Sequence, residues 1–132
     1  MNAFIVDLED RPGSIAAVAE ALAMKGISIT SLAGIASRGA GSAAILTNDE
    51  AGTRKALADG KFKVREIEVV PHAVEDRAGA FAEVARKLAD AGVNLEAVLP
   101  TGMSGGKVSI AFATTQAAKA REALGSLAGA AR

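Results

Sequence analysis

Apolar and polar positions alternate at the start of the chain. Phe4, Val6 and Leu8 share one parity while Ile5 and Asp7 share the other, which predicts a strand with one well-buried face. The period then changes. Ile15, Val18, Ala19, Leu22 and Ala23 follow helical spacing, with Pro12 suited to the first helical turn and Gly26 to the residue that ends the helix. Ile27, Ile29 and the run Leu32 to Ile35 predict a second strand, Arg38-Gly39-Ala40-Gly41 a turn, and Ala43 to Leu46 a third strand. A short helix fits Asp49 to Ala58, capped by Asn48 or Asp49 and stopped by Gly60, before Phe62 and Val64 open a fourth strand. The order β-α-β-β-α-β is the split-βαβ, ferredoxin-like arrangement.

The second half repeats most of this pattern. Residues 68–75 predict a strand, and Gly79 to Ala91 a helix carrying Phe81, Val84, Ala85 and Leu88. Val93 to Leu99 and Val108 to Ala113 predict two strands, and Gln116 to Leu127 a helix. A fourth strand is expected only where the sequence stops at Arg132, so this half reads as β-α-β-β-α. The expected fold class is α+β: two ferredoxin-like modules in tandem, residues 1–67 and 68–132, with antiparallel sheets, helices on one face, and a second module lacking its fourth strand.

The apolar phase slips along Lys61 to Glu75. Phe62 and Val64 share one parity, Ile67 and Val69 the other, which predicts a bulge or kink near Glu66. Pro71 falls inside the strand that follows. Proline is tolerated mainly at sheet edges, which fits a first strand left at an edge by the missing fourth.

The two halves also share a motif at an offset of 66 residues. Glu9-Asp10-Arg11-Pro12-Gly13 recurs as Glu75-Asp76-Arg77-Ala78-Gly79, and Gly26-Ile27-Ser28-Ile29 as Gly92-Val93-Asn94-Leu95. Each copy of about 65 residues is near the lower limit for independent stability, which predicts packing of the copies on each other. Duplication also creates an interface, and pockets form preferentially at such places.

Composition narrows the function classes. Half of the 132 residues are apolar, but the aromatic content is four Phe, so close-packed helices with small side chains fit better than an aromatic-lined cleft. Fifteen basic residues balance fifteen acidic ones without a long run of one sign, which argues against nucleic acid and against an electrostatic membrane anchor. The chain has no Cys, which removes disulfides, thiol catalysis and Cys metal sites. Met1 to Asp7 lacks a basic segment followed by a long apolar one, and no apolar stretch approaches the ~18 residues of a membrane span. A cytoplasmic protein without cofactor or metal is the expectation.

Candidate chemistry centres on the two Asp-Arg-x-Gly turns. A helix N-terminus presents unsatisfied N–H groups and partial positive charge, which suits a carboxylate, while an adjacent Asp suits an ammonium. A turn with both holds the two charges of an α-amino acid. The alternative is that Asp10 and Asp76 cap their helices. Ser28 and Asn94, expected near those turns at the start of the second strand, either orient a polar ligand or serve the helix-to-strand turn. His72, the single histidine, shares parity with Val70 and Val74 and reads as a packed or edge residue, with no second His or Cys for a metal. Thr114-Thr115 is expected to cap the last helix. Ser104-Gly105-Gly106-Lys107 lacks the full phosphate-loop spacing and lies in a hairpin. No catalytic set is identifiable.

The stretch Phe4 to Ile15, with Leu22 to Ile29, resembles the start of an ACT domain, and Glu75 to Leu95 resembles the same module. The resemblance implies βαββαβ modules that bind small effectors, most often amino acids, and pair edge strand to edge strand with the ligand between modules. It implies ligand contacts from the first turns, here Asp10, Arg11, Pro12, Gly13 and Ser14 with Asp76, Arg77, Ala78, Gly79 and Ala80. It implies others from the start of a neighbouring module's second strand, here Ile27, Ser28 and Ile29 with Val93, Asn94 and Leu95. The chain departs from the pattern in having Ala78 in place of the motif Pro, and Ser28 where serine-responsive members have Asn. Leu8 and Val74 stand where those members carry His. The two turns are therefore expected to be unequal.

The leading expectation is a non-enzymatic, amino-acid-binding regulatory protein of the small stand-alone tandem type, forming a homodimer and acting on an enzyme or regulator. The alternative is a ligand-free interaction or dimerisation module.

Overall fold

The computed structural model describes residues 1–130, with side chains described through Gly125. It is an α+β structure of antiparallel strands and four helices with the ACT-like arrangement. The chain divides into two compact units, Met1–Ile67 and Glu68–Arg132. Arg132, where a further strand was expected to begin, lies outside the described residues.

Unit 1 runs β1 (Asn2–Glu9), α1 (Ser14–Ala23), β2 (Ile29–Ser37), β3 (Ala40–Thr47), α2 (Glu50–Asp59) and the start of β4 (Val64–Glu75), with strand order β2-β3-β1-β4. Phe4 and Val6 from β1, Ala43 and Ile45 from β3, Val18 and Leu22 from α1, and Ala56 and Leu57 from α2 form one core. The strand residues in that core share one face, so both helices cover the same side. The strand β1 departs from the expectation of one buried face: Ala3 and Ile5, of the opposite parity, are also buried.

Several local expectations are refined. The β2–β3 hairpin turns on two residues only, Arg38 (φ 55°) and Gly39 (φ 81°), so β3 begins at Ala40. Both central residues have positive φ, the combination that matches strand twist in a tight hairpin. Asp49 is the α2 cap, its carboxylate accepting from the Gly52 N–H at 2.9 Å. Asn48 instead clamps the start of the second strand: its side-chain oxygen accepts from the Ser28 N–H (3.0 Å) and its own N–H donates to the Ser28 carbonyl (3.2 Å). Gly26 ends its helix as expected. The Ile27 N–H reaches the Leu22 carbonyl (3.1 Å) and the Gly26 N–H the Ala23 carbonyl (2.9 Å), with Gly26 left-handed at φ 69°.

Unit 2 runs from the end of β4 through α3 (Ala80–Asp90), β5 (Ala97–Ser104), β6 (Lys107–Ala113) and α4 (Ala117–Ala130), with strand order β4-β6-β5. Val70 and Val74, Ile110 and Phe112, Val84 and Leu88, and Ala120 and Leu124 form its core. Pro71 pairs with Ala111 in the terminal strand of this unit's own sheet. Thr114, expected with Thr115 to cap α4, instead holds the loop before it, accepting from the Gln116 N–H (3.1 Å) while its hydroxyl donates to the Asn94 carbonyl (2.7 Å); the Gln116 carbonyl takes the first helical bond, from the Ala120 N–H (3.0 Å).

Near Glu66, where a bulge or kink was expected, the strand runs without interruption from Val64 to Glu75. The phase change is met by burial on both faces: Ile67 and Val69 are buried on one, Val70 and Val74 on the other. Alternation along a strand is a rule for one-sided burial, and it lapses where both sides are covered.

Candidate functional site

The first turn of unit 1 opens onto a cleft of about 330 Å³. Leu8 to Arg11 and Gly13 to Ala16 form one wall, and Gly34, Ile35, Ala36, Gly41 and Ser42 form the other. Pro12 does not line it. The helix α1 begins at Ser14, so Pro12 lies in the turn ahead of the helix and not in its first turn as expected. The reversal is made by Gly13, which caps the helix at φ 91°, a conformation that costs other residues about 1–2 kcal/mol.

No side chain caps α1, so Asp10 is not its capping residue. The Ser14 N–H makes a long bond to the Arg11 carbonyl (3.4 Å), and the Ala17 N–H bonds the Gly13 carbonyl (2.9 Å). Ile15 and Ala16 precede the first turn's intrahelical acceptors, and both line the cleft. No acidic residue occupies the first turn of α1. The site therefore has the uncompensated positive end of a helix. Arg11 is engaged by the neighbouring Glu9, and the exposed Asp10 lines the cleft beside them.

Apart from Ile35, the opposite wall is built from small residues. Gly34 pairs with Ala43, and Gly41 with Ala36 and Leu8. A Cβ on Gly34 would meet the Ile15 Cδ1 at 3.4 Å, and one on Gly41 would approach the Ile35 carbonyl oxygen to 3.2 Å. These glycines were missed in reading the sequence, where Gly34 passed as part of a strand and Gly41 as part of a turn. The available signal was glycine within strands, which marks a close approach.

The expectation that the second strand starts near the turn is corrected by the register. Ile29 pairs with Thr47, whereas Ser37 pairs with Ala40, the residue opposite Glu9. The start of β2 thus lies roughly 20 Å along the strand from the cleft. Ile27 is buried in the unit 1 core and Ser28 is exposed. Ile29 lines a second, wholly apolar cavity of about 110 Å³ under α1, together with Leu8, Ile15, Val18, Ala19, Leu32, Ala43 and Ile45.

Unit 2 repeats the turn with different surroundings. Gly79 again caps its helix in the left-handed region, at φ 87° and without a side-chain cap, so Asp76 does not cap α3. Here Glu83 stands in the first turn and is held by Arg77 at 3.0 Å, while Arg77 also pairs with Glu75 at 2.7 Å and depresses its carboxyl pKa. The Asp76 N–H is committed to the Gly106 carbonyl (2.8 Å). Pro100, opposite Ile110, takes the register place of Gly34, and Val108 that of Gly41. Ala80 is buried where Ser14 is half-buried, and Phe81, in the place of Ile15, stacks on Phe112 with ring centroids 6.3 Å apart. Ala78 is exposed in the turn. Val93 lies in the core and Leu95 packs against it. The exposed Asn94 is clamped through its N–H by the Gln116 side chain at 2.9 Å.

His72 is half-buried in β4 opposite Ile110, and its pKa is lowered, first by burial and then by Lys107. Among the described residues no His, Cys, Asp and Glu cluster is placed to hold a metal, and no helix is long and apolar enough to cross a membrane.

Residues 3–59 match the family model of the ACT domain. No curated protein matches the chain. Among solved structures, protein BT0572 from Bacteroides thetaiotaomicron superposes with a TM-score of 0.78 at 24% identity, over 95% of this chain and 86% of that one. The regulatory subunit of aspartate kinase from Thermus thermophilus gives 0.65 at 18% identity, over 95% and 89%. The corresponding subunit from Thermus flavus gives 0.62 at 20% identity, over 95% and 91%. At these identities the likeness is one of fold. Residues 3–59, which hold the cleft-forming turn, are thus the part of the chain that is similar to the ACT-domain family.

Proposed function

We propose that this is an amino-acid-binding regulatory protein, without catalytic activity of its own, built as two ACT-like modules over residues 1–67 and 68–132. The observation that carries the reading is the unit 1 cleft. It joins an uncapped helix N-terminus to an exposed Asp10 over a floor of Gly34 and Gly41. The helix end takes the ligand carboxylate and Asp10 its ammonium. The unit 2 turn is the weaker site, because Glu83 already supplies the anion and Pro100 and Val108 stand in place of the glycines.

The cleft is completed by a second copy. The strand β2 ends the unit 1 sheet and carries no charged residue between Ile29 and Ser37, and Leu32 and Ile35 on it are exposed. Sheet edges are normally protected by charge or proline, as Pro100 does on β5. Antiparallel pairing of two β2 strands about a two-fold axis sets the start of one beside the end of the other. Ile27, Ser28 and Ile29 of a second copy then approach Ile35 and Ala36, next to the turn. The regulatory role in trans, on an enzyme of amino-acid metabolism in the cytoplasm, draws support from the aspartate kinase regulatory subunits that share the fold.

A thermal-shift screen with the common amino acids tests the reading, since a ligand specific to the folded state raises stability by mass action. At least one amino acid is expected to raise the melting temperature at millimolar concentration, and Asp10→Asn to abolish that shift without changing the unliganded melting point. No shift with any amino acid sinks the reading.

A further inference from the structure

The apolar cavity under α1 shares two walls, Leu8 and Ile15, with the cleft of the first turn. Its remaining walls are all apolar, with Val18, Ile29, Leu32 and Ile45 among them, and no polar side chain lines it. We infer that the ligand of unit 1 is an α-amino acid with an apolar side chain no larger than a branched aliphatic one, seated in this cavity. The inference rests on the proposed amino-acid binding and adds to it the class of side chain.

A ligand whose ammonium and carboxylate occupy the turn carries its side chain past Leu8 and Ile15. There Ile15 and Leu32 keep the cavity partly open, but no wall offers a hydrogen-bond partner, so a hydroxyl, carboxamide or second charge gives up part of its water for nothing, a loss apolar groups do not incur. The cavity volume of about 110 Å³ is below the ~150 Å³ of an apolar cavity that accepts benzene. A branched aliphatic side chain fits that space and a phenyl ring exceeds it.

Isothermal titration calorimetry on the full chain with near-isosteric pairs tests this: valine against threonine, and leucine against asparagine. The apolar member is expected to bind about tenfold to a hundredfold more tightly. Equal affinity within the pairs, or preference for the polar member, overturns the inference and leaves amino-acid binding standing. Absence of binding by every amino acid overturns both. Phenylalanine binding more tightly than leucine overturns the size limit. Ala19→Leu, at a half-buried cavity position on α1, fills the space from the protein side. It is expected to weaken leucine about tenfold and leave glycine unchanged, whereas unchanged leucine binding counts against the cavity as its seat. If that variant does not fold, the isosteric pairs on the unaltered chain still decide.

Discussion

At Gly34 the needs of folding and of binding oppose each other. Glycine in a strand interior weakens it by roughly 0.5–1 kcal/mol relative to alanine. The place is not closed to a side chain, since an added Cβ would make ordinary contact with the flexible end of Ile15 at 3.4 Å. Gly34→Ala is therefore expected to raise stability by up to about 0.5 kcal/mol in urea unfolding and to weaken amino-acid binding, because the methyl group enters the cleft. A variant that is both more stable and equally able to bind would remove Gly34 from the site. Gly13 is constrained in another way. Open space surrounds it, but its φ of 91° requires glycine whatever the space. The recurring Gly13 and Gly79 were conspicuous in the sequence because they make the turns. Gly34 was not, because its role depends on a helix residue, Ile15, that approaches from elsewhere in the chain.

The pattern of apolar residues was a good guide to elements and a poor one to their registration. Ile15, Val18 and Leu22 place α1 on the sheet through a period that one helix carries in itself, and the glycines at 26 and 92 end helices by local geometry. Which end of β2 adjoins the turn depends instead on pairing with β3, and single-strand alternation carries no such information. The strand β4 was misread for a related reason. It is buried on both faces, so its apolar residues change parity within one uninterrupted strand. Its unit 1 portion is fastened by Glu66, which accepts two bonds from Arg54 of α2 at 2.8 Å each and one from the Asn2 amide at 2.6 Å. Arg54 first and Asn2 second hold the Glu66 pKa down to about 2 from 4.5. A carboxylate whose pKa is depressed by folding contributes stability that is fully present above its unfolded pKa and lost as pH falls through the folded value. Glu66→Gln is accordingly expected to lower the melting point at pH 7, with the difference from the unaltered chain shrinking between pH 4.5 and pH 2. A difference that persists unchanged at pH 2 would mean that the carboxylate charge is not what fastens β4.

For the whole molecule, the two turns are alike in backbone and unlike in what surrounds them, and this predicts one ligand per chain and a dependence on assembly. In unit 2 the proline of β5 blunts the edge and Glu83 occupies the helix end. In unit 1 an uncharged edge and an uncapped helix stand side by side. If β2 pairs with a second copy and that copy completes the cleft, dimerisation and ligand binding are one linked equilibrium, each strengthening the other by the same factor. Ile35 is the place to separate them, because it is 76% exposed on β2 and also lines the cleft. A lysine there places like charges at the edges of both copies, the device by which natural sheets resist pairing. Ile35→Lys is expected to leave the fold unchanged by circular dichroism and to weaken dimerisation at least about tenfold in sedimentation equilibrium. Because Ile35 also touches the cleft, Thr30→Lys, at an exposed β2 position that lines neither the cleft nor the apolar cavity, serves as its companion. Both variants should bind amino acid more weakly, and raising protein concentration should restore binding in proportion to the dimer recovered. Monomers of both variants that bind as well as the unaltered chain would show that the first turn of unit 1 is sufficient alone, and that the β2 edge serves another partner.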